Sequence, residues 1–147
     1  MELIPLNLPA FPFKIIEKES KYFIFDAIRK KELLLTPEEW VRQHFVQYLI
    51  HQHTISKNYI SLEKGLKLHD MQKRCDILVY NENGIPTLLV ECKAPNVAIT
   101  QEVFDQVARY NMLYKVKYLA VTNGLEHYYC EIDHECETYR FLEELTF

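Results

Sequence analysis

Two extended runs, 74–80 and 86–94, flank the dipeptide Asn83-Gly84, and each is built on an unbroken apolar triplet: Ile77-Leu78-Val79 in one, Leu88-Leu89-Val90 in the other. Asn-Gly between such runs is a strong short-range signal for a two-residue type I′ hairpin. Strands that do not alternate with polar residues are covered on both faces, so this hairpin belongs inside a layered molecule. A two-residue turn also sets the register, pairing Val79 with Leu88, Ile77 with Val90 and Asp76 with Glu91. On the second strand Glu91 and Lys93 share one face, while Leu88, Val90 and Cys92 make the other wholly apolar and fit to pack on a helix.

The rest of the chain supplies those layers. Thr36-Pro37-Glu38-Glu39 is a helix start, with Thr36 as N-cap, Pro37 at the first helical position and Glu39 placed for a capping box. The pattern predicts a helix to Ile50, with Trp40, Val41, Phe45, Tyr48 and Leu49 in its apolar stripe. Thr100 caps a second helix to Tyr114, with Val103, Val107, Tyr110 and Tyr114 on one face. Extended runs at 22–28, 59–68, 117–122 and 126–132 read as strands, the last two around a second Asn-Gly, Asn123-Gly124. Residues 1–20 contain Pro5, Pro9 and Pro12 and read as an extended arm. Strand 86–94, the second helix and strand 117–122 form a parallel crossover, which predicts a mixed sheet with helices on both faces.

Composition bounds the function. The 147 residues, 48% hydrophobic and 26% charged, suit one globular domain and leave no room for an ATP-driven motor. No G-x-x-x-x-G-K-S/T phosphate loop and no G-x-S-x-G elbow is present. No apolar run approaches the roughly 18 residues of a bilayer span, and no leader pattern opens the chain, so a cytoplasmic protein without a membrane partner is expected. Cys75, Cys92, Cys130 and Cys136 contain no C-x-x-C pair, which argues against a zinc site, and Cys75 and Cys92 read as small buried hydrophobes. The net charge of −4 is uneven: residues 118–147 carry seven acids and one Arg, whereas the first 117 carry 16 Lys and Arg against 14 Asp and Glu. A modest DNA-facing surface outside the C-terminal region is compatible with this.

Asp76, Glu91 and Lys93 are the candidate catalytic residues. An E-x-K triplet is common, and Glu19-Ser20-Lys21 is another that reads as solvated surface. The hairpin distinguishes Glu91-Cys92-Lys93 by setting Asp76 opposite Glu91, about 5 Å apart at Cβ. Like charges so placed repel, and a divalent cation between them, with Lys93 nearby, compensates. The alternative, two surface acids on a half-exposed sheet, conflicts with the apolar triplets. The same repulsion predicts that Asp76→Asn stabilises the metal-free fold. Gln106 falls on the core-facing stripe of the second helix with Tyr110 one turn on, either as an amide at the stripe's margin or as part of the site. His51-x-His53 reads as a helix end, and Asp133-His134-Glu135-Cys136 as a charged surface turn.

Asp76…Glu91-Cys92-Lys93 followed by Gln106-x-x-x-Tyr110 resembles the PD-(D/E)XK nuclease superfamily, and the Q-x-x-x-Y element resembles its RecB-like branch. The stretch Phe25-Asp26-Ala27-Ile28-Arg29-Lys30-Lys31 and the run Leu35-Thr36-Pro37-Glu38-Glu39-Trp40-Val41-Arg42-Gln43 are similar to the N-terminal nuclease domain of type I restriction enzyme R (HsdR) subunits. This resemblance extends over roughly residues 20–125. Arg74-Cys75-Asp76 departs from it in having no proline before the Asp, and the motor domains of R subunits are not part of this chain.

The resemblance implies a restriction-endonuclease-like, three-layer α/β fold, with the whole chain as one nuclease domain. It implies a Mg²⁺-dependent (or Mn²⁺-dependent) endonuclease acting on double-stranded DNA. Asp76, Glu91 and the Cys92 backbone carbonyl become metal ligands, and Lys93 acts on the attacking water or the scissile phosphate. Gln106 and Tyr110 position these groups or the DNA backbone. Glu39 either adds a carboxylate or only caps its helix, and Arg42 either contacts phosphate or pairs with an acid. Separate motor, specificity or methylation subunits are the implied partners. Two rivals stand beside this reading: a DNA-repair or junction-resolving nuclease with the same site, and a catalytically silent DNA- or protein-binding module.

Overall fold

The computed structural model describes residues 3–68 and 71–146. The N-terminal arm is irregular to residue 14 and then enters an antiparallel meander of three short strands, β1 (Ile15–Lys18), β2 (Lys21–Asp26) and β3 (Lys31–Leu34). Glu19 and Ser20, with φ of 52° and 64°, form the turn between β1 and β2. Glu19-Ser20-Lys21 is therefore an exposed hairpin tip.

Helix α1 (Pro37–Gln52) starts where its sequence predicts, with Thr36 Oγ1 accepting the Glu39 N–H at 3.0 Å, and His53 ends it. Val41, Phe45 and Leu49 pack with Ile77, Val79, Leu88 and Val90 of the main sheet. The arm covers another side: Phe13 lies against Trp40 and His44, Phe11 stacks on His51, and Trp40 Nε1 donates to the Ile4 carbonyl at 3.0 Å. Covered from more than one direction, α1 buries His44 and Gln47 as well as its apolar stripe. The arm is tied down near the second Asn-Gly turn, where Asn7 N–H donates to the Gly124 carbonyl. Gly124 has φ +86°, and a Cβ there would meet Leu6 Cδ2 at 2.8 Å, so both backbone and space require glycine.

The main sheet runs in the order β4 (Ile60–Leu68), β5 (Met71–Tyr80), β6 (Pro86–Cys92), β7 (Tyr118–Thr122), β8 (His127–Asp133), β9 (Thr138–Leu142). β6 and β7 are parallel and joined through helix α2 (Gln101–Asn111); the other neighbours are antiparallel. α1 covers one face. On the other, Leu78, Leu89, Leu119 and Val121 pack with Phe104, Val107 and Ala108 of α2. The two apolar triplets are buried throughout, as strands with a helix on either side must be. Among the described residues, no helix is long and apolar enough to cross a membrane.

The β5–β6 register is the expected one, with Ile77 opposite Val90, Leu78 opposite Leu89 and Val79 opposite Leu88. The turn that produces it is wider than the two residues expected. Asn81 N–H donates to the Ile85 carbonyl, and the Asn81 side-chain oxygen accepts from Asn83 N–H and Ile85 N–H. A bulge between Val79 and Tyr80 then restores the register, next to Pro86, which has no N–H to give the ladder.

Helix α2 keeps part of its expected buried stripe and shifts the rest. Thr100 Oγ1 accepts the Val103 N–H at 3.2 Å, as a cap should, and a 3₁₀ turn (Met112–Tyr114) extends the helix. Among the described side chains the buried positions are Phe104, Val107, Ala108, Asn111 and Tyr114, so Val107 and Tyr114 of the expected stripe are buried, Val103 is only half-buried and Gln106 is exposed. Asp133-His134-Glu135-Cys136 is the expected surface turn, with Asp133 Oδ1 accepting from Glu135 N–H and Cys136 N–H, and it leads into β9, which the sequence reading lacks.

Candidate active site

One step beyond the Ile77–Val90 pair lie Asp76 and Glu91. Here the Asp76 carboxylate reaches across to β6, Oδ2 accepting the Cys92 N–H at 2.8 Å. Lys93, just past β6, is anchored by its N–H to the Thr122 carbonyl of β7 at 2.8 Å, and its Nζ lies 3.6 Å from Glu91 Oε1. The side chains of Asp76, Glu91 and Lys93 are 13%, 22% and 31% exposed. Two carboxylates and an ammonium therefore converge where two buried strands emerge from the core.

The electrostatics of Glu91 are unusual. Burial, reinforced by the negative charge of Asp76 and only partly opposed by Lys93, pushes its carboxyl up to about 7. Burial likewise pushes the Cys92 thiol up, so that side chain stays neutral. Cys92 packs into the core with α1, on the face opposite Glu91. Any contribution of Cys92 to a metal therefore falls to its backbone carbonyl.

Helix α1 brings a second set of polar groups against Asp76. Arg42 Nη2 is 2.7 Å from Asp76 Oδ1 and 3.0 Å from Glu38 Oε1, and its Nη1 is 2.6 Å from Glu39 Oε1. The helix makes this possible, because Glu38 and Glu39 stand four and three residues before Arg42 on one side of it. Burial works against the guanidinium's charge, but Asp76 and Glu39 outweigh it and hold Arg42 protonated. Glu39 also accepts from Gln43 Nε2 at 3.0 Å and lies 3.5 Å from Arg29 Nη2. Behind them sits Asp26, fully buried at the end of β2, which accepts from Ile28 N–H, Arg29 N–H, Arg29 Nε and Gln43 Nε2. A continuous chain of charge-assisted bonds thus links the small meander, α1 and Asp76.

These residues fit a divalent cation of the hard kind. Asp76 spends one lone pair of each oxygen on Arg42 and Cys92, and a carboxylate has further acceptor capacity on both. Glu91 is a carboxylate whose ionised form is under-compensated, which is the condition a nearby cation relieves. Among the described residues, no three His, Cys, Asp or Glu side chains are grouped to hold a metal. Two carboxylates and a backbone carbonyl leave the remaining positions to water, as Mg²⁺ prefers and a structural zinc site does not.

The structure brings together Asp76, Glu91, the Cys92 backbone and Lys93, and adds Glu39 and Arg42 behind them. Of the two roles open to Arg42, it pairs with acids; at 4% side-chain exposure it is no surface contact. Glu39 does not close a capping box with its carboxylate but points to Arg42 and Gln43. Gln106 is exposed on α2 rather than core-facing, a correction that follows from the shifted part of the stripe. The side chain of Tyr110 lies outside the described residues, as does that of Cys75. Arg42 and the Cys92 N–H compensate Asp76, which turns the expected effect of Asp76→Asn on the metal-free fold from a gain into a loss.

Asp26, Arg29 and Gln43 were missed as members of this network. A usable signal existed in Glu38, Glu39, Arg42 and Gln43, polar residues spaced three to four apart on a helix otherwise crowded with apolar ones.

Known proteins resemble this chain in sequence family and in fold. Residues 37–145 match the family described as type I restriction enzyme R protein N terminus (HSDR_N). The fold is similar to that of a fragment assigned as an HsdR subunit of a type I restriction enzyme from Vibrio vulnificus YJ016. The TM-score is 0.53 at 21% identity, covering 76% of this chain and 23% of that one. No match is found among curated proteins.

Proposed function

Because the chain belongs to the type I restriction enzyme R protein N-terminal family, we propose that it is a Mg²⁺-dependent (or Mn²⁺-dependent) endonuclease domain that hydrolyses phosphodiester bonds of double-stranded DNA. The observation that carries this reading is the meeting of Asp76, Glu91 and Lys93 at the open end of β5 and β6, with the Glu91 carboxyl raised to about 7 beside Asp76. Asp76, Glu91 and the Cys92 carbonyl would hold the cation. When bound, it supplies charge neutralisation at the scissile phosphate and a lower pKa for the attacking water.

The remaining roles belong to the chain itself. Arg42 and the Cys92 N–H keep the Asp76 carboxylate in one orientation, so it need not reorganise when DNA arrives. Lys93 orients the water or stabilises charge on the transferring phosphate, an effect realised in the transition state. Gln106, which is exposed on α2, and Tyr110, one turn further, would position the metal-bound groups or contact the DNA backbone. In the cell the domain would act beside separate motor, specificity or methylation subunits in the cytoplasm.

The test is Mg²⁺-dependent nicking of supercoiled plasmid by the pure protein, with metal binding measured alongside by calorimetry. Lys93→Ala is expected to abolish nicking and leave metal binding largely intact, since the ammonium is not a ligand. A wild-type protein that binds Mg²⁺ and DNA yet never nicks would defeat the enzyme reading in favour of a silent binding module.

A further inference from the structure

We infer that the site takes one divalent cation and excludes a second, because the Arg42 guanidinium permanently fills the place the second would need; this rests on the metal-site reading proposed above. The guanidinium lies among three carboxylates, 2.7 Å from Asp76 Oδ1, 3.0 Å from Glu38 Oε1 and 2.6 Å from Glu39 Oε1. Paired metal ions in phosphoryl-transfer sites stand about 4 Å apart. An ion held by Asp76 would lie about 2.1 Å from its oxygen. A guanidinium nitrogen 2.7 Å from the same carboxylate would then stand in the way of a neighbouring cation. Glu39 from α1 and Asp76 from β5 would complete such a position, and both already bind Arg42.

Arg42 is not a side chain that swings away to admit an ion. It is 4% exposed, and its Glu39 partner is fixed in turn by Gln43 Nε2 at 3.0 Å. Gln43 Nε2 also donates to Asp26 Oδ2 at 3.1 Å, and Asp26 is paired with Arg29 Nε at 2.7 Å. Moving the guanidinium would strip buried carboxylates of their nearest positive charge, a heavily penalised change in a low-dielectric interior. A fixed guanidinium also differs from a metal in function. It neutralises Asp76 and Glu39, but it offers no exchangeable position for water or a phosphate oxygen.

Equilibrium dialysis of the purified chain against Mn²⁺ at pH 8, without DNA, tests this by counting ions. The wild type is expected to bind one ion per chain. Arg42→Gln uncovers Glu39 and Asp76 Oδ1 and is expected to bind two, while Arg42→Lys, which keeps the positive charge, is expected to bind one. Far-UV circular dichroism establishes that each variant is folded. Two ions on the wild type overturn the inference whether or not Arg42→Gln folds, and so does a folded Arg42→Gln that stays at one. No ion on the wild type removes the metal site itself and the proposed function with it, a result distinct from a count of two.

Discussion

Replacing Glu91 with Gln isolates the electrostatic strain at this site. The Glu91 carboxyl is raised from its ordinary 4.5 to about 7 by burial and by Asp76. The folded state therefore holds this proton more tightly than the unfolded chain does. Folding stability from this group is fully present below 4.5 and is lost as pH rises through 7. Each pKa unit is worth about 1.4 kcal/mol, so the full shift corresponds to about 3 kcal/mol lost across that window. Glu91 is 22% exposed, and partial screening brings the expected effect to about 1–3 kcal/mol. The amide introduced by Glu91→Gln would mimic the protonated acid and carry no such penalty. In EDTA, Glu91→Gln is thus expected to match the wild type near pH 4.5 and exceed it at pH 8. At about 2–4 °C per kcal/mol for a chain of this length, the gain in Tm is about 2–12 °C. Thermal melts of both proteins at the two pH values measure it, and urea melts give the free-energy difference directly. A difference between them that does not change with pH would refute the reasoning, and so would a less stable Glu91→Gln at pH 8.

Two further changes probe the network behind the site. Asp76→Asn is expected to lower metal-free stability by about 1–2 kcal/mol in urea melts, because Asp76 uses both oxygens, on Arg42 and on Cys92 N–H, whereas Asn offers one acceptor and turns a donor toward a donor. A stability gain would show instead that repulsion from Glu91 dominates. Asp26→Ala is expected to cost about 3–5 kcal/mol, the scale for removing one partner of a buried pair, since it strips Arg29, Gln43 and two backbone N–H groups of their acceptor; a loss under about 1 kcal/mol in the same melts would show that Asp26 is dispensable.

The sequence made the centre of the molecule legible because the constraints there are redundant. The triplets Ile77-Leu78-Val79 and Leu88-Leu89-Val90 demand cover on both faces, and only one register keeps Leu88, Val90 and Cys92 together toward α1. That register survived an incorrectly read turn: a bulge at Val79–Tyr80 absorbs the extra width of the Asn81–Ile85 turn. Thr36 and Thr100 were equally legible, since an N-cap is a local bond between near neighbours. What escaped depends on distant partners. β1 and β3 are four residues each and mostly exposed, so their strand character comes from pairing with β2 rather than from their own pattern. β9 lies in the acidic C-terminal stretch, where Tyr139 and Phe141 alternate with polar neighbours over only five residues.

The same distinction decides which members of the candidate site are legible in the sequence. Asp76, Glu91 and Lys93 are neighbours across one hairpin, so strand periodicity alone places them together. Arg42 reaches Asp76 from 34 positions away, and only the docking of α1 on the sheet decides that it meets a carboxylate rather than solvent. The outward face of Gln106 was not legible for a related reason. Val103 and Phe104 both suit a core-facing position on α2, and the choice of Phe104, fixed by Tyr139 and Phe141 across the sheet edge, turns Gln106 outward. Once Arg42 is in place, the sign expected for Asp76→Asn reverses, while the strain passes to Glu91, whose nearby cation, Lys93, is 3.6 Å away and part-exposed. The two carboxylates are thus unequal in the metal-free protein. Asp76 is compensated and fixed, whereas Glu91 is the anion that gains most from an arriving cation.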